Sequence, residues 1–189
     1  MKHCSNLRAD REIGDYWERQ FCEMAAEIGL LFTPMQIGRN ESAQAYGKNG
    51  KKWNTLTLPD VTVWTYPGQH HEIKHKNPTR FGSFGLEAYR LRALLNFARE
   101  TQQDVMYTIH NHDFSGGRDS RENYLAHWLT VNVLELDGLW NYESFLSSWV
   151  NGVEKKVLQY FWPISMWVPL AEYWQVEQVQ PQLAMELAL

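Results

Sequence analysis

Cysteine is scarce in this 189-residue chain: only Cys4 and Cys22 occur, and they form no C-x-x-C pair. That scarcity argues against a disulfide framework and against a cysteine-rich zinc site. Long apolar runs are missing too. The best, Phe161 to Ala171, is interrupted by Pro163 and Pro169, whereas a membrane-spanning helix needs about 20 apolar residues. The opening MKHCSNLRADRE carries too much charge for a secretory leader. Together these absences predict a soluble protein of a reducing compartment, the cytoplasm. The chain also lacks internal repeats and low-complexity segments, and its length suits one domain over residues 1–189.

What the chain has in quantity is aromatic side chains: nine Trp, nine Tyr and eight Phe. Packing is the first reading of these, with stacking on bases or sugars the second. The net charge is -4, which alone does not point to nucleic acid. The distribution says more. Residues 39–99 hold ten Lys and Arg against four Asp and Glu, whereas residues 111–189 hold four against ten. A basic middle can bind phosphate inside an acidic chain.

Apolar residues Ile13, Trp17, Phe21, Met24 and Ile28 recur at steps of three or four. That spacing predicts a helix from Asp10, as N-cap, to a stop at Gly29. Leu30–Gly38 reads as a strand edged by Pro34, and Arg39–Asn54 as a polar loop. Leu56–Tyr66 and His70–Lys76 read as two strands joined by the Pro67-Gly68 turn into a hairpin. Asn77-Pro78 and Gly82–Gly85 read as loop, Leu86–Glu100 as a second helix, and Asp104–Ile109 as a strand. Trp128–Leu136 reads as a strand, Lys155–Trp162 as a strand or hairpin arm, and Leu170–Trp174 as a short element. The order predicts an α/β fold in which a mixed central sheet is flanked by helices.

Chemistry concentrates on the hairpin. Asp60 follows Pro59 at the start of one arm, and Glu72 and Lys74 lie two apart on the other. Strand side chains alternate, so Glu72 and Lys74 share a face while Ile73 points into the core. The hairpin brings Asp60 beside Glu72. Two carboxylates at one point repel, and a hard divalent cation is the usual compensation. Mg²⁺ keeps several waters, so two carboxylates suffice. Lys74 beside it can orient or deprotonate a water and stabilise phosphate charge. An acid-x-Lys triple occurs by chance about once in a chain of this length. This one is set apart by the Pro-Asp at hairpin spacing, by strand character in both arms, and by the helix that follows. Glu18 on the first helix, just off its apolar stripe, leans toward the sheet end.

This pattern resembles the PD-(D/E)XK nuclease superfamily, whose shared core is a helix, a strand hairpin with the motif, a helix and a further strand. The motif here reads Pro59-Asp60…Glu72-Ile73-Lys74, and Gly14-Asp15-Tyr16-Trp17-Glu18-Arg19 is similar to the G-x-x-x-E-R helix of archaeal Holliday-junction resolvases. The resemblance covers about residues 10–110, leaving 111–189 as an aromatic-rich extension. It implies a restriction-endonuclease-like three-layer core and a Mg²⁺- or Mn²⁺-dependent endonuclease acting on DNA. It further implies metal ligation by Asp60, Glu72, the Ile73 carbonyl and, through water, Glu18, with Lys74 as the catalytic lysine. Many relatives carry Gln on the second helix where Tyr89 or Arg90 stands here. For DNA contact the candidates are Lys48, Lys51, Lys52, Lys76, Arg80, Arg90 and Arg92. A homodimer fits an enzyme that cuts two strands symmetrically.

Three rival readings remain open at this point. His71-Glu72-Ile73-Lys74-His75 also spells the zinc-protease H-E-x-x-H, which needs a helix. His110-Asn111-His112-Asp113 reads as polar surface after a strand, with a metal pair from His110 and His112 as the alternative. Asp60, Glu72 and Lys74 could form a salt-bridge ladder on an exposed sheet face, or belong to a nuclease fold that binds nucleic acid without cutting it.

Overall fold

The computed structural model describes residues 7–35, 59–64, 68–111, 125–150 and 153–175. Helix α1 spans Leu7–Glu27, followed by strands β1 (Phe32–Pro34), β2 (Val61–Val63), β3 (Gln69–Lys76) and β4 (Ser83–Glu87). Helix α2 (Ala88–Thr101) leads into β5 (Asp104–Asn111) and β6 (Trp128–Asn132). Then come α3 (Val133–Leu136), β7 (Tyr142–Val150), β8 (Val153–Pro163), β9 (Val168–Pro169) and α4 (Leu170–Tyr173).

Six strands form the central sheet in the order β1-β2-β3-β5-β6-β9. Among the described residues of this sheet, only β3 and β5 pair in parallel; the other contacts are antiparallel. The parallel step exists because α2 carries the chain from one strand to the next, as a parallel crossover requires. A second sheet runs β4-β8-β7.

The central sheet is covered on both faces. From α1, Trp17, Phe21 and Met24 pack with Val61, Val63, Ile73, Trp128 and Leu170. From α2, Leu91, Leu94, Leu95, Phe97 and Ala98 pack with Val105, Tyr107, Ile109, Leu129 and Val131. Phe84, Leu86 and Trp162 from the second sheet close that side. The three-layer arrangement expected from the sequence is the one observed.

Several boundaries differ from the expectation, each for a physical reason. Helix α1 starts at Leu7, so Asp10 lies inside it and is not the N-cap. The residues before Ile13 are good helix formers and extend the helix beyond its apolar stripe. Ile13 itself is exposed. Gly29 does end the helical segment, at φ 78. The run Trp128–Leu136 is not one strand. Asn132 accepts a hydrogen bond from the Leu134 backbone and caps the short helix α3. Ser83–Gly85 is strand rather than loop. Strand β7 was not anticipated, although Asn151-Gly152 between two strand-like runs is a strong hairpin signal. The register closes at Val150 opposite Val153. Arg39–Asn54, the Pro67 end of the turn and the residues beyond Gln175 lie outside the described residues.

Gly85 shows why a strand there looked like a loop. A Cβ at Gly85 would lie 2.5 Å from Cε1 and 2.9 Å from Cδ1 of Phe161. Glycine in a strand marks such close approaches. The Phe161 ring is itself held, stacked on Tyr142 at 4.6 Å. Gly85→Ala should therefore cost about 1–3 kcal/mol of stability, the scale of overpacking. Urea denaturation checks this, and an unchanged midpoint would show that the Phe161 ring moves freely.

Candidate active site

Strand alternation sorts β3 into two faces. Glu72, Lys74 and Lys76 stand beside Tyr107, Ile109 and Asn111 of β5, on the α2 side. His71, Ile73 and His75 stand beside Met106, Thr108 and His110, on the α1 side. Asp60 immediately precedes β2, and its backbone N–H donates to the His71 carbonyl at 2.9 Å. Its side chain turns to the first face: Oδ2 accepts from the Ile73 N–H at 2.7 Å. The hairpin thus brings Asp60, Glu72 and Lys74 together, as the spacing predicted.

The Lys74 ammonium is the centre of this cluster. Its Nζ lies 2.6 Å from Glu72 Oε1, 3.5 Å from Asp60 Oδ2 and 2.9 Å from the Ile73 carbonyl oxygen. Three oxygens from three residues converge on one cation. Asp60 and Glu72 are buried, whereas the Lys74 side chain is 32% exposed. The cluster therefore meets solvent at Lys74. A solvated salt-bridge ladder does not describe it, since Glu72 has no exposed surface.

Arg90, on the first turn of α2, completes the cluster. Its Nε donates to Glu72 Oε1 at 2.9 Å and its Nη2 donates to Glu72 Oε2. The sequence marked Arg90 as a phosphate contact; here its fork is engaged by Glu72. The helical face that carries Leu91 and Leu94 into the core leaves Arg90 over β3. That placement needed the start of α2 at Ala88, two residues later than the periodicity suggested.

The electrostatics follow from burial and these contacts. Burial, then the Glu72 charge, push the Asp60 pKa up, against Lys74, Arg90 and the Ile73 N–H. For Glu72, burial acts upward too, but Lys74 and Arg90 together outweigh it and hold the carboxyl low. Burial pulls Lys74 down, yet the two carboxylates raise it above its ordinary value. Lys74 is thus held as a positive charge between the two acids. Glu72, depressed on folding, contributes stability above its ordinary value of 4.5 that is lost as pH falls through its folded pKa. Asp60, raised on folding, acts in the opposite sense.

The remaining sequence candidates are dispersed. Lys76 donates to the Gly85 carbonyl, which also accepts from Tyr107 Oη at 3.0 Å. Arg80 is exposed and lies over the Phe81 ring at 4.6 Å. Arg92 is exposed on α2. Lys48, Lys51 and Lys52 lie outside the described residues. Glu18 is half-buried on α1, the helix of the opposite sheet face. Burial, with Glu18 and Glu23, pushes the nearby Cys22 thiol to about 11.

The histidine readings need correction. His71 to His75 is strand, so the helix required by a zinc-protease motif is not there. His71 is buried, 2.8 Å from Thr108 Oγ1 through Nδ1, and burial followed by His70 pushes its pKa down to about 3. It is a neutral core residue. His110 is not surface: it is buried, stacks on Trp17 at 3.6 Å and lies 3.1 Å from His75 Nδ1 through its own Nδ1. His112 lies outside the described residues.

The donor set of the cluster is all oxygen: two carboxylates and a carbonyl that already surround a cation. That suits a hard, oxygen-loving divalent ion such as Mg²⁺ or Mn²⁺, which retains waters of its own. Among the described residues no group of three His, Cys, Asp or Glu side chains is placed to hold a metal. The protein side of such a site would therefore be Asp60, Glu72 and the Ile73 carbonyl.

The fold is restriction-endonuclease-like: a mixed central sheet between helices, with Asp60, Glu72 and Lys74 on a hairpin under the second helix. Among solved structures the chain is similar to Hjc, a Holliday junction resolvase from the archaeal hyperthermophile Archaeoglobus fulgidus. The TM-score is 0.51 at 15% identity, covering 85% of this chain and 98% of that one. At that identity the likeness establishes the fold. No protein-family profile and no curated protein matches the sequence. No helix among the described residues is long and apolar enough to cross a membrane.

Glu72→Gln tests the electrostatic reading. It would leave Arg90 and Lys74 facing a neutral amide. Breaking a buried pair from one side costs about 3–5 kcal/mol. Urea denaturation at neutral pH should show a loss on that scale; a loss under about 1 kcal/mol would mean both cations relax into water, as a surface pair does.

Proposed function

We propose that this protein is a divalent-metal-dependent nuclease that hydrolyses phosphodiester bonds in DNA, with Asp60, Glu72 and Lys74 as its active site and 1–189 as one nuclease domain. The observation that carries the reading is the convergence of Asp60 Oδ2, Glu72 Oε1 and the Ile73 carbonyl on a single cation. The shared fold with a Holliday junction resolvase supports it and makes branched DNA a substrate to try first.

A bound Mg²⁺ or Mn²⁺ would supply Lewis-acid stabilisation and a more acidic water. Asp60, Glu72 and the Ile73 carbonyl would hold it; Glu18, which the resemblance offered as a ligand through water, stands on α1 at the opposite face of the sheet. The chain's own part is positioning and charge. Lys74, held protonated and exposed at the mouth of the cluster, presents a donor to a phosphoryl oxygen and stabilises the charge that grows there. The Ile73 N–H fixes the Asp60 carboxylate, and β2 against β3 fixes both acids. A symmetric dimer would place two such sites on two strands.

The test is cleavage of labelled four-way junction, duplex and single-stranded DNA with Mg²⁺, Mn²⁺ or EDTA. Wild type should cut with metal and stop in EDTA. Lys74→Ala and Asp60→Ala should each lower the rate by roughly 10²-fold or more. Binding should weaken steeply with salt. One observation favours a second reading, a nuclease fold that binds DNA without cutting: Arg90 and Lys74 already neutralise both acids. Salt-sensitive binding with no cutting of any substrate would select that reading over catalysis.

A further inference from the structure

We propose that Arg90 is an internal counter-cation, a positioning residue that competes with the divalent metal for Glu72 in the DNA-free protein. The inference rests on the nuclease reading and adds a regulatory feature to its site. Two carboxylates, Asp60 and Glu72, face two cations, Lys74 and Arg90, so the cluster is neutral as it stands. A divalent ion entering a neutral buried cluster finds much less attraction than one entering a pair of bare acids.

The hydrogen-bond geometry points the same way. A carboxylate offers about four lone-pair directions over its two oxygens. Arg90 takes one on Oε1 and one on Oε2, and Lys74 takes a second on Oε1. Three of the four directions are occupied by protein donors. A metal ion bound through Glu72 must displace at least part of this set.

Arg90 is the donor whose fork can change partner. Its side chain is 18% exposed, on the first turn of α2 beside the exposed Tyr89. A guanidinium fork fits a phosphate as well as a carboxylate. A DNA phosphate arriving at the mouth gives Arg90 a second anion of matching shape and frees Glu72 for the metal. Metal and substrate would then bind as partners, each favouring the other through one side chain.

The test is Mn²⁺ binding to the DNA-free full chain, read by electron paramagnetic resonance of the free ion, with folding checked by circular dichroism. Arg90→Gln should bind Mn²⁺ about tenfold tighter than wild type or more, the scale of a released charge-assisted hydrogen bond. Adding Asp60→Asn to Arg90→Gln should abolish the gain, which locates it at this cluster. Should Arg90→Gln not fold, Arg90→Lys keeps the charge without the fork and should still bind tighter than wild type. Damage to a merely structural residue would weaken binding instead. Equal or weaker Mn²⁺ binding by the folded variant overturns the inference and leaves the nuclease reading in place. Absence of Mn²⁺ binding by wild type and variants, in a protein that also fails to cut DNA, overturns both.

Discussion

Glu72 has no exposed surface, and a buried carboxylate without partners carries a desolvation penalty of several kcal/mol. The ion pair with Arg90 offsets that penalty and at the same time orders the structure around it. Apolar contacts alone would let α2 settle in neighbouring positions over the sheet, since Leu91, Leu94 and Leu95 are similar in shape. A guanidinium fork that must meet two oxygens of one carboxylate has far less freedom. Pinned at its first turn, α2 drops its apolar face onto Val105, Tyr107 and Ile109. The parallel β3–β5 pairing then follows from the length of the crossover.

The other face of β3 obeys a different rule. His71, Ile73 and His75 point toward α1, where Trp17 stacks on His75 at 4.6 Å and on His110 at 3.6 Å. Burial keeps His71 neutral, which avoids placing a positive charge in an apolar layer with no counter-ion. Around Glu72, the neighbours His71 and Ile73 thus serve packing, while Lys74, two steps on, serves charge. The strand's two-residue period is what allows a charged cluster and an apolar core to occupy consecutive positions without interfering.

Much of this arrangement was legible in the sequence because it depends on short-range periodicity. Glu72 and Lys74 at spacing two, Asp60 across a hairpin, and the stripe Trp17, Phe21, Met24 all translate directly into geometry. What could not be read was contact between distant segments. Gly85 looked like loop because the reason for a glycine there, the ring of Phe161, lies in another strand seventy-six positions on. Arg90 reads in the sequence as a DNA contact because its partner, Glu72, is fixed only once α2 packs on β3. His110 looked like surface because α1, the helix that covers it, is nearly a hundred positions away. The β7–β8 hairpin was legible in principle from Asn151-Gly152, but its apolar residues follow no clean alternation.

The fold also changes what the charge distribution means. The middle of the chain has six more basic than acidic residues, and the sequence alone suggests a phosphate-binding surface. Lys74 and Arg90 are turned inward on the two acids, Lys76 is tied to the Gly85 carbonyl, and Arg99 pairs with Asp137 at 2.6 Å. Among the described residues, Arg80 and Arg92 are the members of the set that stand exposed and are not drawn into these contacts. A count of charges therefore overstates the positive field at the surface. The stronger electrostatic argument is local. A neutral cluster of two acids and two cations, open to solvent at the lysine, is poised to reorganise when an anion approaches, and an anion with forked oxygens is the one that Arg90 is shaped to follow.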